Sequence, residues 1–271
     1  MSDEAWLSVT RGHAPLLMSL PHTGLELGPI EPRFASSWLA RKDTDWWIEQ
    51  LYDFAQGLGA TIVRTAISRS VIDVNRDPSG ASLYPGQATT ELCPITTFDG
   101  ESLYRDGEAP LPEEIAARRA KWFDPYHAAL KGELRRLRGS HGRLALYDCH
   151  SIRSKIPRLF EGELPVFNLG TNGGVSVEPA LSGAVERALA ASGRSFVVNG
   201  RFKGGWITRS YGDPARGVHA LQMEVACRGY MREPSEVADH NWPSPYDPRS
   251  AAPMRRTLKT ILQAALEWVR A

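Results

Sequence analysis

The chain has 271 residues, room for one large α/β or all-β domain or two small ones. Its 32 Lys and Arg stand against 31 Asp and Glu, a net charge of +1 that leaves no bulk-charge footprint for nucleic acid. No run nears the roughly 18 apolar residues of a membrane helix, and the start MSDEAWLSV carries acids where a signal peptide carries a basic segment, so the chain is expected to be cytoplasmic, with no membrane partner.

In chain order, 15–20 (PLLMSL) predicts a strand, followed by a turn rich in Gly and Pro. Residues 43–59 (DTDWWIEQLYDFAQGLG) predict a helix with an acidic start and a Gly stop, and 60–67 (ATIVRTAI) a strand. Segment 77–111 lacks periodicity and is expected to be a long active-site loop. A long helix is expected over 112–138, opened by Pro112, Glu113 and Glu114 and closed by basic residues. Strands are expected at 144–151 (LALYDCHS), 166–170 (VFNLG), in SFVVNG and at 217–226, with helices at 179–192 and 250–270. This alternation predicts a single α/β domain over 1–271, with a mostly parallel central sheet. The cysteines, Cys93, Cys149 and Cys227, have no CxxC spacing and read as reduced thiols.

Ligand crevices in such sheets open at the carboxyl ends of strands, so polar residues there come first. His22 follows the first strand in PHTG, where Gly24 permits close backbone approach to a ligand; His150 ends YDCHS, with Asp148 two residues earlier on the same face; Asp45 opens the helix beginning DTDWW. Two imidazoles and a carboxylate form the ligand set of a catalytic zinc site. Each also has a plainer reading, Asp43 and Asp45 as helix-start acids and the histidines as hydrogen-bonded core. Asn75 and Arg76 lie side by side in DVNRDP, with Arg69 seven positions earlier; an amide beside a guanidinium suits a substrate carboxylate, although Arg76 could instead pair with Asp73 or Asp77. Glu224 is an acid in the middle of the apolar run ALQMEVA, and burial requires it to serve a metal, a water or an arginine such as Arg228. The 26 Arg against 6 Lys fit either an anionic ligand or a codon bias.

Taken together and in this order, PHTG, DTDWW, DVNRDP, YDCHSIRS, FNLGTNGG and HALQMEV resemble the N-formylglutamate amidohydrolase family, most strongly over 10–235. The resemblance implies a zinc-carboxypeptidase-like sandwich around a mixed sheet of about eight strands. It also implies hydrolysis of N-formyl-L-glutamate to glutamate and formate in histidine degradation. By the same resemblance His22, Asp45 and His150 hold Zn2+ or another divalent ion such as Co2+, with Glu26 and Asp43 competing for the third ligand. Glu224 becomes the general acid/base and Arg153 or Arg69 the oxyanion cation. Asn75 with Arg76 takes one substrate carboxylate, and Arg209 or Arg153 the other. Gly170, Gly173, Gly174, Gly204 and Gly205 become candidate cleft walls. The implied partner is a small N-acyl dicarboxylate, for a monomer or small homo-oligomer. A deacylase of another N-acyl acidic amino acid, a carboxypeptidase-like amidase and an inert dicarboxylate-binding module are the alternatives.

Overall fold

In the computed structural model, which describes residues 6–271, the elements in chain order are β1 (Leu7–Thr10), β2 (Leu16–Leu20), α1 (Ser37–Arg41), α2 (Ile48–Leu51), β3 (Thr61–Thr65), α3 (Pro112–Arg118), α4 (Asp124–Arg138), β4 (Leu144–Ile152), β5 (Phe167–Gly170), α5 (Pro179–Ala191), β6 (Phe196–Val198), α6 (Trp206–Tyr211), β7 (Val218–Ala226) and α7 (Pro248–Arg270). The strands form one sheet in the order β1-β3-β2-β4-β7-β5-β6. Neighbours are parallel except β1 with β3 and β5 with β7. The sheet is therefore mixed and mostly parallel, with seven strands among the described residues rather than about eight.

Both faces of the central strands are covered, which is why β4 opens on the apolar run Leu144–Tyr147 and is buried along its whole length, Asp148 and His150 included. The period of two divides the core. Leu16 and Met18 face the layer of α2, α5 and α7, while Leu17 joins Leu146, Val63 and Tyr126 beneath α4 and α6.

Three segments depart from expectation, each for a local reason. The expected helix over 43–59 is broken. The backbone N–H of Asp45 donates to the His22 carbonyl at 3.0 Å, Trp47 adopts φ 63°, and only then does α2 begin, followed by a 3-10 stretch over Asp53–Leu58. The helix over 112–138 contains a π turn at Arg119–Phe123. Pro125 has no N–H to return to the Lys121 carbonyl, and the wider turn relieves that mismatch. Segment 77–111 does lack strand and helix until its last residue, yet it buries Tyr84, Leu92, Phe98 and Tyr104 against the body. β1, α1 and α6 were not expected; each has six residues or fewer.

Helix α4 also steadies the segment that carries Asn75. His127 Nε2 donates to the Val74 carbonyl at 2.8 Å and its Nδ1 accepts from Tyr211 Oη at 2.6 Å. Burial lowers this histidine's pKa to about 4. Because the unfolded chain takes up the proton near pH 6.5 and the folded chain only near 4, stability contributed by neutral His127 is lost as pH falls through that window. Urea denaturation is expected to show about 2–3 kcal/mol less stability at pH 4.5 than at pH 7 from this group. The pH slope should be correspondingly shallower in His127→Gln, and an unchanged slope would remove the assignment.

Candidate active site

The site lies where β2, β4 and β7 end side by side at the middle of the sheet. The β4–β7 register sets His150 opposite Glu224 and Asp148 opposite Gln222, and the strand alternation turns all four side chains to one face. His22 follows β2 directly, two residues past its end, and Asp45 enters from the broken helix start, tied to His22 through the backbone. Asp73, Asn75 and Arg76 arrive on a buried turn after Val71 and Ile72.

His22, Asp45 and His150 converge with ligand atoms within 4.8 Å of one another. Their hydrogen bonding defines what they can hold. His22 Nε2 donates to Asp73 Oδ1 at 2.6 Å, which leaves the Nδ1 lone pair facing Asp45 Oδ2 at 3.6 Å. His150 repeats the pattern, with Nε2 3.0 Å from Asp148 Oδ2 and Nδ1 2.9 Å from Asp45 Oδ2. Both His22 Nδ1 and Asp45 Oδ1 are buried without a hydrogen-bond partner. Electron pairs turned on one another in a dry interior require a proton or a cation between them. Two imidazoles, each oriented by a carboxylate on its far nitrogen, and a third carboxylate fit a divalent metal such as zinc. Glu26 is exposed, and Asp43 accepts from the Phe98 backbone N–H and pairs with Arg153, so both stand apart from this cluster.

The electrostatics follow from burial and pairing. Burial alone raises the Asp45 pKa, but the adjacent His150 and His22 outweigh it and hold the group at about 2. Asp73 is likewise held well below the usual range, its burial overcome by Arg76, His22 and Arg69. Burial lowers His150, yet Asp148 and Asp45 raise it well above an ordinary histidine. Among the described residues the Glu224 carboxyl accepts only a long contact from Gln222 Nε2 at 3.5 Å, and burial pushes it up to about 8. A carboxyl group poised near neutrality beside a metal-type cluster can take up and return a proton.

His22, Arg69, Asn75, Arg76, His150 and Glu224 all line one cleft, with Asp45 buried beside them. Within it, Arg69 is bound to Asp73 at 2.8 Å and lies 3.5 Å from Asp45, its guanidinium over the Phe98 ring. Arg76 is braced by Thr90, donating to its carbonyl at 3.1 Å and to its hydroxyl at 3.0 Å. The Asn75 amide is consumed internally: Nδ2 donates to Asp148 at 2.8 Å, and Oδ1 accepts from the Ile207 N–H. Two of the other expected residues lie elsewhere. The Arg153 guanidinium is held by Asp43 and Asp99 outside the cleft, and Arg209 donates to the Gly204 carbonyl and stacks on Tyr84. Gly24 serves backbone packing rather than ligand approach, since a Cβ there would meet Ile67 O at 2.3 Å. At Gly205 a Cβ would strike the Asn75 amide at 2.5 Å, so the KGGW segment fixes Asn75. Arg201, Gln222 and Tyr84 also line the cleft and were missed. Arg201 follows directly on a strand-end turn, the same kind of position that drew attention to His22.

The sequence pattern described as N-formylglutamate amidohydrolase matches residues 14–231. An N-formylglutamate deformylase from Pseudomonas putida is 47% identical over 264 residues, covering 97% of this chain and 96% of its own length. A second so named, from Pseudomonas aeruginosa, is 46% identical over 266 residues and 97% of each chain. Among solved structures, an N-formylglutamate amidohydrolase from Ralstonia eutropha JMP134 superposes with a TM-score of 0.77 at 23% identity, over 98% of this chain and 99% of the other. A gene product from Agrobacterium tumefaciens reaches 0.71 at 15% identity, over 100% and 98%. The structural likenesses speak to the fold.

Proposed function

The chain belongs to the N-formylglutamate amidohydrolase family, and from that premise we propose that it hydrolyses N-formyl-L-glutamate to L-glutamate and formate. The observation that carries the chemistry is the convergence of His22, Asp45 and His150 beside Glu224, a buried carboxyl group that, unlike Asp73 and Asp148, is not spent on either histidine. Zinc held by the three ligands, or Co2+ in its place, would supply a Lewis acid that acidifies water and polarises the formyl oxygen. Glu224 accepts the proton of the attacking water. As the C–N bond breaks it returns that proton to the leaving amine, so formate and glutamate depart with no net change at the carboxylate. We assign Arg69, rather than Arg153, as the cation facing the developing oxyanion, because Arg153 is spent on Asp43 and Asp99 away from the cleft. Arg76 takes the carboxylate next to the scissile bond, and Asn75 positions Asp148 and the Trp206–Tyr211 helix start. The three cysteines are free and buried, in keeping with a cytoplasmic setting. No helix among the described residues is long and apolar enough to cross a membrane.

The test is formate release by zinc-loaded protein. Stoichiometric release from N-formyl-L-glutamate is expected, with kcat/KM at least about tenfold lower for N-formyl-L-aspartate, whose shorter side chain misplaces one carboxylate. Failure to release formate from either compound overturns the reading.

A further inference from the structure

Three arginines line the cleft, and they differ in what already neutralises them. Arg69 is 6% exposed and lies against both Asp45 and Asp73; Arg76 reaches Asp73 Oδ2 at 3.6 Å. Arg201, which lines the same cleft, has no carboxylate within ion-pair distance among the described residues. It is nonetheless fixed in place. Its Nε donates to the Leu159 carbonyl and its Nη2 to the Ala88 carbonyl, each at 2.8 Å, and the guanidinium lies 5.3 Å from the Tyr84 ring centre and 5.4 Å from that of Phe202. The remaining nitrogen, Nη1, has no acceptor among the described residues. A half-buried cation clamped by carbonyls and rings but lacking a counter-ion is preorganised for an anion. Burial and the charge of Arg76 work against its protonation and outweigh the opposing pull of Tyr84 and Glu224, a cost that an incoming carboxylate would relieve.

We propose that Arg201 holds the carboxylate at the far end of the substrate and so selects the length and charge of the side chain that the cleft accepts. The inference rests on the amidase reading above. The pairing of the three sets the assignment: Arg69 is bound into the carboxylates around the metal-type cluster, Arg76 is tied to it through Asp73, and Arg201 has no ion pair among the described residues. A dicarboxylate with its formamide at the cluster would therefore place its near carboxylate at Arg76 and its distal one at Arg201. Arg209, on the other hand, backs the same Tyr84 ring without lining the cleft.

The experiment compares formate release from N-formyl-L-glutamate and N-formyl-L-norvaline, which has a methyl in place of the distal carboxylate, by wild type, Arg201→Met and Arg201→Lys. Wild type is expected to favour the glutamate derivative by about 10²-fold or more in kcat/KM, because a preorganised, half-buried cation rejects an analogue that leaves it unpaired. In Arg201→Met the preference should shrink to about fivefold or less, chiefly through KM, with the norvaline rate nearly unchanged; Arg201→Lys should keep an intermediate preference. Retained preference in Arg201→Met, or equal losses on both substrates, overturns the role of Arg201 alone. A wild type that releases formate from neither compound overturns the amidase reading together with it.

Discussion

Replacing Glu224 by Gln is expected to lower kcat for formate release by about 10³-fold while leaving bound metal and KM close to wild type. The amide keeps the size of the side chain and its contact with Gln222, but it can neither accept a proton from water nor deliver one to the amine. The pH dependence separates this from a structural effect. Only the ionised carboxylate is a base, so kcat/KM should rise with pH through the Glu224 pKa and level off above it. Burial raises that value to about 8, and a cation held by the neighbouring triad pulls it lower. The wild-type profile should therefore show an acidic limb below pH 8 that is missing from the Gln variant. A variant with more than about a tenth of wild-type activity, or one with the same acidic limb, excludes Glu224 as the proton carrier.

Loss of the metal should be as severe. Chelation is expected to abolish formate release, and zinc or cobalt to restore it, with one ion per chain by elemental analysis. Asp45→Ala or His22→Ala should leave the protein without stoichiometric metal and at background activity. Asp73→Asn is a subtler test, because Asp73 touches no metal position but orients His22 at 2.6 Å while anchoring Arg69 at 2.8 Å. Its affinity for zinc should fall about 10- to 100-fold. Full turnover in protein shown to contain no metal would sink the assignment of His22, Asp45 and His150.

Much of this site is legible in the chain because strand ends announce themselves: an apolar run that gives way to Asp148 and His150, or that is interrupted by Glu224, marks where a buried sheet turns polar, even though each residue alone also has a plainer reading. The charges are harder to read. Whether an arginine is free or spent depends on residues far away in sequence, and nothing near Arg153 reveals that Asp43 and Asp99 close on it. Arg201 was overlooked for the same reason in reverse, since its lack of an acidic partner among the described residues is a property of the folded cleft and not of the local sequence. The helix expected over 43–59 failed because a tertiary demand, bringing Asp45 to His22, overrode an otherwise good helical pattern.

The pairing of β4 with β7 carries a consequence for how this protein can change. His150 and Glu224 face the same cleft only because both strands keep the same parity from their first paired residues, Leu144 and Val218, onward. Inserting or deleting one residue early in either strand would send the ligand or the proton carrier into the opposite hydrophobic layer while every side chain of the site was still encoded. The catalytic constellation is thus protected against drift by the same ladder of backbone bonds that holds the sheet. Evolution can remodel its loops and arginines, but must leave the count of residues in these two strands alone.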